Sequence, residues 1–259
     1  MTTDRAQRRY ENLLALRGKP MPETVEAGGH TWHRQRVFKH DFFAATGLYA
    51  SDDGSTRAVL KIFRPYAWYG LPLGLLSRFQ ARHEEKLYRL LEDTGSVPRW
   101  LGRYGDTGFL HEFIPGGHLT PEANVPPDFL DGLERLIRTM HERGVSYLDT
   151  NKMHNVIVGD DGKCYLIDFQ ITWVQPPFPL SLLTWPLFQV FKRSDFYHLL
   201  KQKQRLHPQL IDSQMVRDSR PWFIKLHRRI ANPIRRWRRA YLRKVETGAA
   251  AHPDGAEFH

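Results

Sequence analysis

Two periods of apolar residues run along the chain, and each change of period marks an element. Ala58-Val59-Leu60-Lys61-Ile62-Phe63 is an apolar run broken by one lysine, which predicts a strand. From Phe79 to Leu91 the spacing is helical, with Leu87, Leu90 and Leu91 on the apolar side. Glu84 stands four residues before Tyr88 and seven before Leu91, so its carboxylate can point the same way. Asp128 to Arg143 predicts a second helix, with Leu130, Leu133, Ile137 and Met140 on one face and Gly144 ending it. Val156-Ile157-Val158 and Leu166-Ile167 are short apolar strands joined by Gly159-Asp160-Asp161-Gly162, a hairpin pattern. Asp195-Phe196-Tyr197-His198-Leu199-Leu200 opens another helix. At the ends, Tyr10, Leu13, Leu14 and Leu16 give Met1 to Gly18 a helical pattern, Pro121 to Pro127 is loop, and the small polar residues after Thr247 predict a disordered tail. There is no internal repeat.

Strands crowd the first part and helices the second, and 259 residues suffice for one two-lobed unit with a full core. The one cysteine, Cys164, lies in a strand run, which excludes an intrachain disulfide and predicts a buried apolar role in an intracellular protein. Met1 to Gly18 is charged and shows no signal peptide. The longest apolar stretch, Pro176 to Phe191, is cut by four prolines and falls short of the roughly 20 residues of a spanning helix. Thirteen histidines form no His-Glu-x-x-His, and His30/His33 and His111/His154 lie in separate contexts without a supporting carboxylate pattern, which argues against a zinc site.

Candidate chemistry concentrates around the hairpin. Tyr147-Leu148-Asp149-Thr150-Asn151-Lys152-Met153-His154-Asn155 precedes it and Asp168-Phe169 follows it. An alcohol attacking a terminal phosphate needs a carboxylate to orient it and take its proton, and Asp149 is placed for that. Asn155 and Asp168 offer oxygens to Mg2+, a hard cation that keeps part of its hydration while bridging phosphates. Lys152 adds a point charge for the moving phosphoryl group. The plain alternative is a hairpin with a solvated Asp-Asp-Gly turn and ordinary loop residues. Lys61 weighs against it, because a lysine inside an apolar strand needs an exposed edge, a carboxylate or a phosphate, and Glu84 is available.

With these residues in this order, the chain resembles the protein-kinase-like superfamily over about half its length. Val59-Leu60-Lys61 resembles the strand that carries the nucleotide-binding lysine, and Glu84 the helix glutamate paired with it. Phe109 to Gly117 resembles the strand and hinge that receive adenine through backbone groups, Glu112 and Ile114 among them. Tyr147-Leu148-Asp149 stands where His-Arg-Asp would be, and Asp168-Phe169-Gln170 where Asp-Phe-Gly would be. The Asp-x-x-Lys-x-x-Asn form is most similar to bacterial lipopolysaccharide-core (Kdo/heptose) kinases and RIO-type atypical kinases. The resemblance implies an α+β bilobal fold, with a small antiparallel-sheet N-lobe carrying one helix and a mainly helical C-lobe. It also implies ATP and Mg2+ as cofactors, and an Asp195 that braces the catalytic loop.

The departures are informative too. No Gly-x-Gly-x-x-Gly precedes Lys61; Lys39 to Tyr49, with Gly47 alone, occupies the place of the nucleotide-covering loop, where Lys39 or Thr46 can substitute. Leu148 replaces the arginine that reads a phosphorylated activation loop, and no Ala-Pro-Glu follows Asp168, which argues against that form of control. Gln170 removes a freely turning position and predicts an aspartate fixed in one state.

Charge is the last feature to change the picture. Residues 216–244 contain eleven Lys and Arg against the single acid Asp218, and so account for the whole formal charge of +10. Asn232 and Pro233 start a helical pattern with Ile234, Trp237 and Tyr241 in line and arginines on the flanks. A basic amphipathic stretch of this kind suits an anionic membrane surface. Packing on the C-lobe and nucleic acid are the alternatives. The apolar stretches Pro65 to Leu76 and Phe178 to Phe188 favour the membrane.

The expected organisation is an accessory helix at 1–28, an N-lobe at 29–115, a C-lobe at 116–215, a basic helical segment at 216–245 and a disordered tail at 246–259. The expected activity is ATP- and Mg2+-dependent phosphorylation of a hydroxyl on a lipopolysaccharide-type sugar or other membrane-associated acceptor. A serine/threonine protein kinase and an inactive kinase-like scaffold that binds membrane or a partner are the alternatives. The expected place is the cytoplasm, at the inner face of the membrane.

Overall fold

The computed structural model describes residues 10–67 and 72–221. Of these, 10–67, 72–79 and 103–110 form one compact unit, and 80–102 and 111–221 a second. The division passes through one helix and two strands.

The first unit is built on a sheet. Strands β1 (Thr24–Ala27), β2 (His30–His40), β3 (Ala44–Ser51) and β4 (Arg57–Phe63) pair antiparallel in sequence order. After α1 (Leu73–Leu91), β5 (Trp100–Tyr104) and β6 (Gly108–Glu112) complete the order β1-β2-β3-β4-β6-β5. Alternation along β4 sends Ala58, Leu60 and Ile62 into the core on one face, with Lys61 between them on the other. Each buried Leu or Ile contributes roughly 1.5–3 kcal/mol.

The N-terminal segment departs from the expected accessory helix. Within its described part only residues 10–13 are helical, and Thr24–Ala27 joins the sheet as β1. The Arg64 guanidinium fixes the helical turn by donating to the carbonyls of Asn12 (2.7 Å), Leu13 and Leu14 (both 3.2 Å).

In the second unit α1 shows why the helix was legible. Ala81, Glu84, Leu87, Tyr88 and Leu91 lie buried on one stripe, so the carboxylate does point inward. β7 (Gly116–His118) leads to α2 (Phe129–Glu142), which buries Leu130, Leu133, Ile137 and Met140 and ends at Gly144, φ 73°. β8 (Val145–Ser146) pairs with β11 (Trp173–Val174), and between them run β9 (Val156–Gly159) and β10 (Cys164–Leu166). Cys164 is buried there, and its thiol is pushed up to about 12 by burial.

α3 (Leu180–Leu206) and α4 (Ser213–Asp218) follow. Asp195 was expected to open a helix, yet it sits in the middle of α3, which runs through Pro186. Pro186 is exposed, so the helix carbonyl it leaves without an N–H can be solvated. Among the described residues no helix is long and apolar enough to cross a membrane. The basic helical pattern at 232–243 and the tail at 246–259 lie outside the described residues, as do residues 68–71 of the apolar stretch after β4.

One glycine is a structural requirement. Gly116 has φ 141°, and a Cβ on it would stand 2.1 Å from the Val158 carbonyl oxygen across the β7–β9 pair. Gly116→Ala should cost about 2 kcal/mol or more and lower the melting temperature by about 4–8 °C. A thermal melt checks this, and an unchanged midpoint would contradict the packing described.

Candidate active site

In the second unit the loop from Ser146 to Asn155 is knit by short hydrogen bonds. Its foundation is Asp195, fully buried in α3. One carboxylate oxygen accepts from the backbone N–H of Leu148 (2.8 Å) and the hydroxyl of Thr150 (3.0 Å). The other accepts from the Tyr147 N–H (2.9 Å), the Ser146 hydroxyl (2.6 Å) and His141 Nε2 (3.0 Å). Five donors on one buried carboxylate give the loop a single path, including φ 64° at Leu148, which an unaided leucine avoids. Gln202 adds a further tie by donating to the Thr150 carbonyl. Asp195 thus braces the loop from beneath, as the resemblance implied.

On that base stand the candidate residues. Asp149 Oδ2 receives Lys152 Nζ at 2.5 Å and the Asn155 amide nitrogen at 3.1 Å. The same amide donates to the Tyr147 hydroxyl at 3.0 Å. That hydroxyl reaches the carbonyls of Ile167 (2.6 Å) and Asp168 (3.1 Å). The Ile167 N–H in turn donates to the backbone carbonyl of Asn155 at 2.9 Å. The Tyr147 hydroxyl therefore joins Asn155 to the backbone of Asp168 on the far side of the hairpin, and the Asn155 amide carries the link on to Asp149. Burial holds the Tyr147 phenol well above its ordinary pKa, with the Asp168 and Asp149 charges adding to the effect, so it stays a donor.

Burial also raises the Asp149 carboxyl above the usual aspartate value, while Lys152 and Asn155 pull it back in part. The arrangement suits a base: one oxygen is engaged by Lys152 and Asn155, and the second is left to meet a substrate proton. Because its nitrogen is committed twice, Asn155 presents its carbonyl oxygen as a ligand atom. Together with the half-buried Asp168 carboxylate this is a hard oxygen donor set. No group of three or more His, Cys, Asp or Glu that could hold a metal occurs among the described residues. Two protein oxygens still fit Mg2+, which takes its remaining ligands from water and phosphate.

Asp168 has φ 64°, and the residue after it is locked. Phe169 is fully buried, edge-on to Tyr88 of α1 at 5.0 Å and to Tyr147 at 5.7 Å, and Tyr88 stacks on His111 at 5.1 Å. His83, one residue before Glu84, bonds to the Thr172 carbonyl at 2.9 Å. The stretch after Asp168 and the Glu84 turn of α1 are thereby held in one register.

At Glu112, expected to receive adenine, Arg99 forks onto the carboxylate at 3.0 and 3.1 Å, and the backbone N–H donates to the Arg99 carbonyl at 2.9 Å. His111 Nδ1 lies 2.8 Å from the Glu112 carbonyl. Ile114 is buried beside Pro115, whose carbonyl accepts from the Asp160 N–H.

The first unit, by itself, carries a polar row across its sheet. Lys39 pairs with Thr46 and Thr46 with Lys61, so two cations and a hydroxyl share one face over three strands. Lys61 is buried, and Lys39 is paired with Asp41 at 2.6 Å. The stretch expected as a covering loop is mostly strand. Its turn is only Asp41 to Phe43, closed by Asp41 Oδ1 accepting from the N–H groups of Phe43 (2.8 Å) and Ala44 (3.0 Å).

Tyr147, Ser146, Thr150, His141 and Gln202 were not singled out by sequence. Tyr147 carried a usable signal, its place at the head of the Tyr-Leu-Asp triplet. His141 and Gln202 carried none, because they meet their partners across about 50 residues.

No family model and no curated protein matches the chain. Among solved structures it is similar to the Rio2 kinase of Chaetomium thermophilum, crystallised as an ADP/Mg2+-phosphoaspartate complex, with a TM-score of 0.51 and 15% identity. The match covers 72% of this chain and 61% of that one, so the chain spans about three fifths of the neighbour's length. At this identity the likeness shows the fold alone, and the fold is protein-kinase-like.

Proposed function

We propose that the protein is an ATP- and Mg2+-dependent phosphotransferase acting on a hydroxyl of a membrane-associated or sugar-containing acceptor. The observation that carries this is the hydrogen-bonded set Lys152–Asp149–Asn155–Tyr147, tied through the Tyr147 hydroxyl to the backbone carbonyl of Asp168, which gathers a candidate base, a cation and two hard oxygen ligands from the braced loop and from the stretch after β10. The neighbour's bound ADP and Mg2+ support nucleotide use.

In this reading Asp149 orients the acceptor hydroxyl and accepts its proton as the oxygen attacks the γ-phosphorus and the bond to the ADP oxygen breaks. Lys152 steadies the transferring phosphoryl group. Asn155 and Asp168 would hold Mg2+, which when bound neutralises charge on the phosphates. Lys61 serves the α- and β-phosphates, and Lys39 or Thr46 stands in for the missing glycine-rich loop. The backbone of Glu112 and Ile114 receives adenine.

The acceptor class rests on the basic stretch at 216–244 and the apolar one at 178–188. The test is transfer from γ-labelled ATP to a panel of lipopolysaccharide-type glycolipids, free sugars and protein substrates. Label on the glycolipid supports the proposal, label on protein serine favours the protein-kinase alternative, and no label anywhere favours the inactive scaffold.

Tyr147→Phe isolates the bridging hydroxyl. Losing it should cost about 1–3 kcal/mol, because Asn155 is left with an unmet donor, and should raise the Mg2+ concentration needed for nucleotide-induced stabilisation. A Mg2+ titration of the thermal shift reads both, and wild-type values would contradict the bridge.

A further inference from the structure

We propose that Phe178 and the first two turns of α3 form a lipid-inserting surface that seats the protein on an anionic bilayer, presenting a lipid-anchored acceptor to the loop of Asp149. The presentation step rests on the phosphotransfer reading above. The surface itself stands on separate observations.

The first is that this end of the helix is inside out. Phe178, Leu182, Leu183 and Trp185 are 77%, 66%, 79% and 58% exposed, while Ser181 and Thr184 are half-buried. The Thr184 hydroxyl bonds back to the Leu180 carbonyl at 3.1 Å, and Gln175 donates to the Ser181 carbonyl at 3.0 Å. A helix facing water places these residue types the other way round. The exposed apolar area, on the order of 500 Å², is comparable to the roughly 300–600 Å² of the largest, often functional, patch on an ordinary monomer.

The second observation is charge. From Asp168 to Lys192 the chain carries no charged residue between them, and Lys192 and Arg193 then follow at once. Lys192, on the same helix just beyond the exposed residues, has its ammonium over the ring of the buried Phe188 at 5.2 Å. The whole net charge of the chain, +10, resides in residues 216–244. Apolar side chains with a tryptophan, bordered by cations, match acyl chains beneath anionic headgroups; a protein partner would demand no such charge.

The test is flotation of the full chain with vesicles of neutral phosphatidylcholine or of phosphatidylcholine with about a third anionic lipid, comparing wild type with Leu182→Gln/Leu183→Gln/Trp185→Gln. These side chains are exposed, so the variant should keep its ligand-free melting temperature, which confirms folding. The expected result is wild-type flotation on anionic vesicles, a loss on the order of tenfold in the variant, and the same ATP–Mg2+ thermal shift in both. Equal flotation of variant and wild type overturns the proposal, as does wild type staying unbound on both vesicle types. So does a wild-type dimer in sedimentation that the substitutions convert to monomer without any vesicle binding, since a second copy then covers the patch. Absence of the ATP–Mg2+ shift in both proteins sinks the phosphotransfer reading instead and leaves the flotation result to decide the surface.

Discussion

Asp149→Asn should lower turnover by a factor of about 10²–10⁴ while leaving nucleotide affinity within a few-fold of wild type. The amide can still take hydrogen bonds from Lys152 and Asn155, but it cannot accept the acceptor's proton, and that loss appears only in the transition state. The pH dependence follows from the raised Asp149 pKa. The acid limb of kcat/KM should lie above the usual aspartate value of about 3.9, since the base must lose its own proton to work. Stability runs in the opposite direction. A carboxyl whose pKa is raised in the folded protein favours folding in its protonated form, fully below the unfolded-state value, and loses that contribution as pH rises through the folded value. At pH 7 the buried charge is a cost that asparagine avoids. Asp149→Asn should therefore melt at or above the wild-type temperature at pH 7, with the gap closing below about pH 4. Wild-type turnover in this variant would remove Asp149 from the chemistry.

The largest effect on stability is expected at Asp195. Asp195→Ala leaves five donors around an empty buried space, and a cost of about 3–5 kcal/mol or more follows from deleting the acceptor of a buried hydrogen-bonded network. The melting temperature should fall by roughly 10 °C or more. By contrast Asp106→Ala, which breaks the exposed pair with Arg78, should change stability by no more than about 0.5 kcal/mol. Similar melts for the two variants would mean that Asp195 does not hold the loop of Asp149.

These two aspartates also show how far the sequence carries. Asp149, Asn155 and Asp168 were legible because residue type, spacing and two flanking apolar strands all act locally, within about twenty residues. Lys61 and Glu84 were legible as polar residues set into apolar periods, and both are buried as that placement requires. The bracing role of Asp195 came from resemblance, and its helical context was misplaced, because prolines in sequence were weighted as breaks. Pro186 is tolerated in α3 on an exposed side where water can satisfy the freed carbonyl. The bridging role of the Tyr147 hydroxyl was hidden because it depends on Asn155 and Asp168 being folded around it. The strand at Thr24–Ala27 was hidden because four residues carry too little periodicity to compete with the helical pattern before them. The covering turn was read as long because Lys39 and Thr46 lie in mixed polar sequence, whereas pairing across β2, β3 and β4 draws both into strands.

The central claim is that Asn155 and Asp168 form a magnesium clamp for ATP, and it is tested most directly by nucleotide-induced stabilisation of the full chain. ATP with Mg2+ at about 100 times its Kd should add about 2.7 kcal/mol, whereas ATP with chelator should add little, and Asp168→Asn should abolish the difference. Equal stabilisation with and without Mg2+, or an Asp168→Asn response matching wild type, would contradict the account.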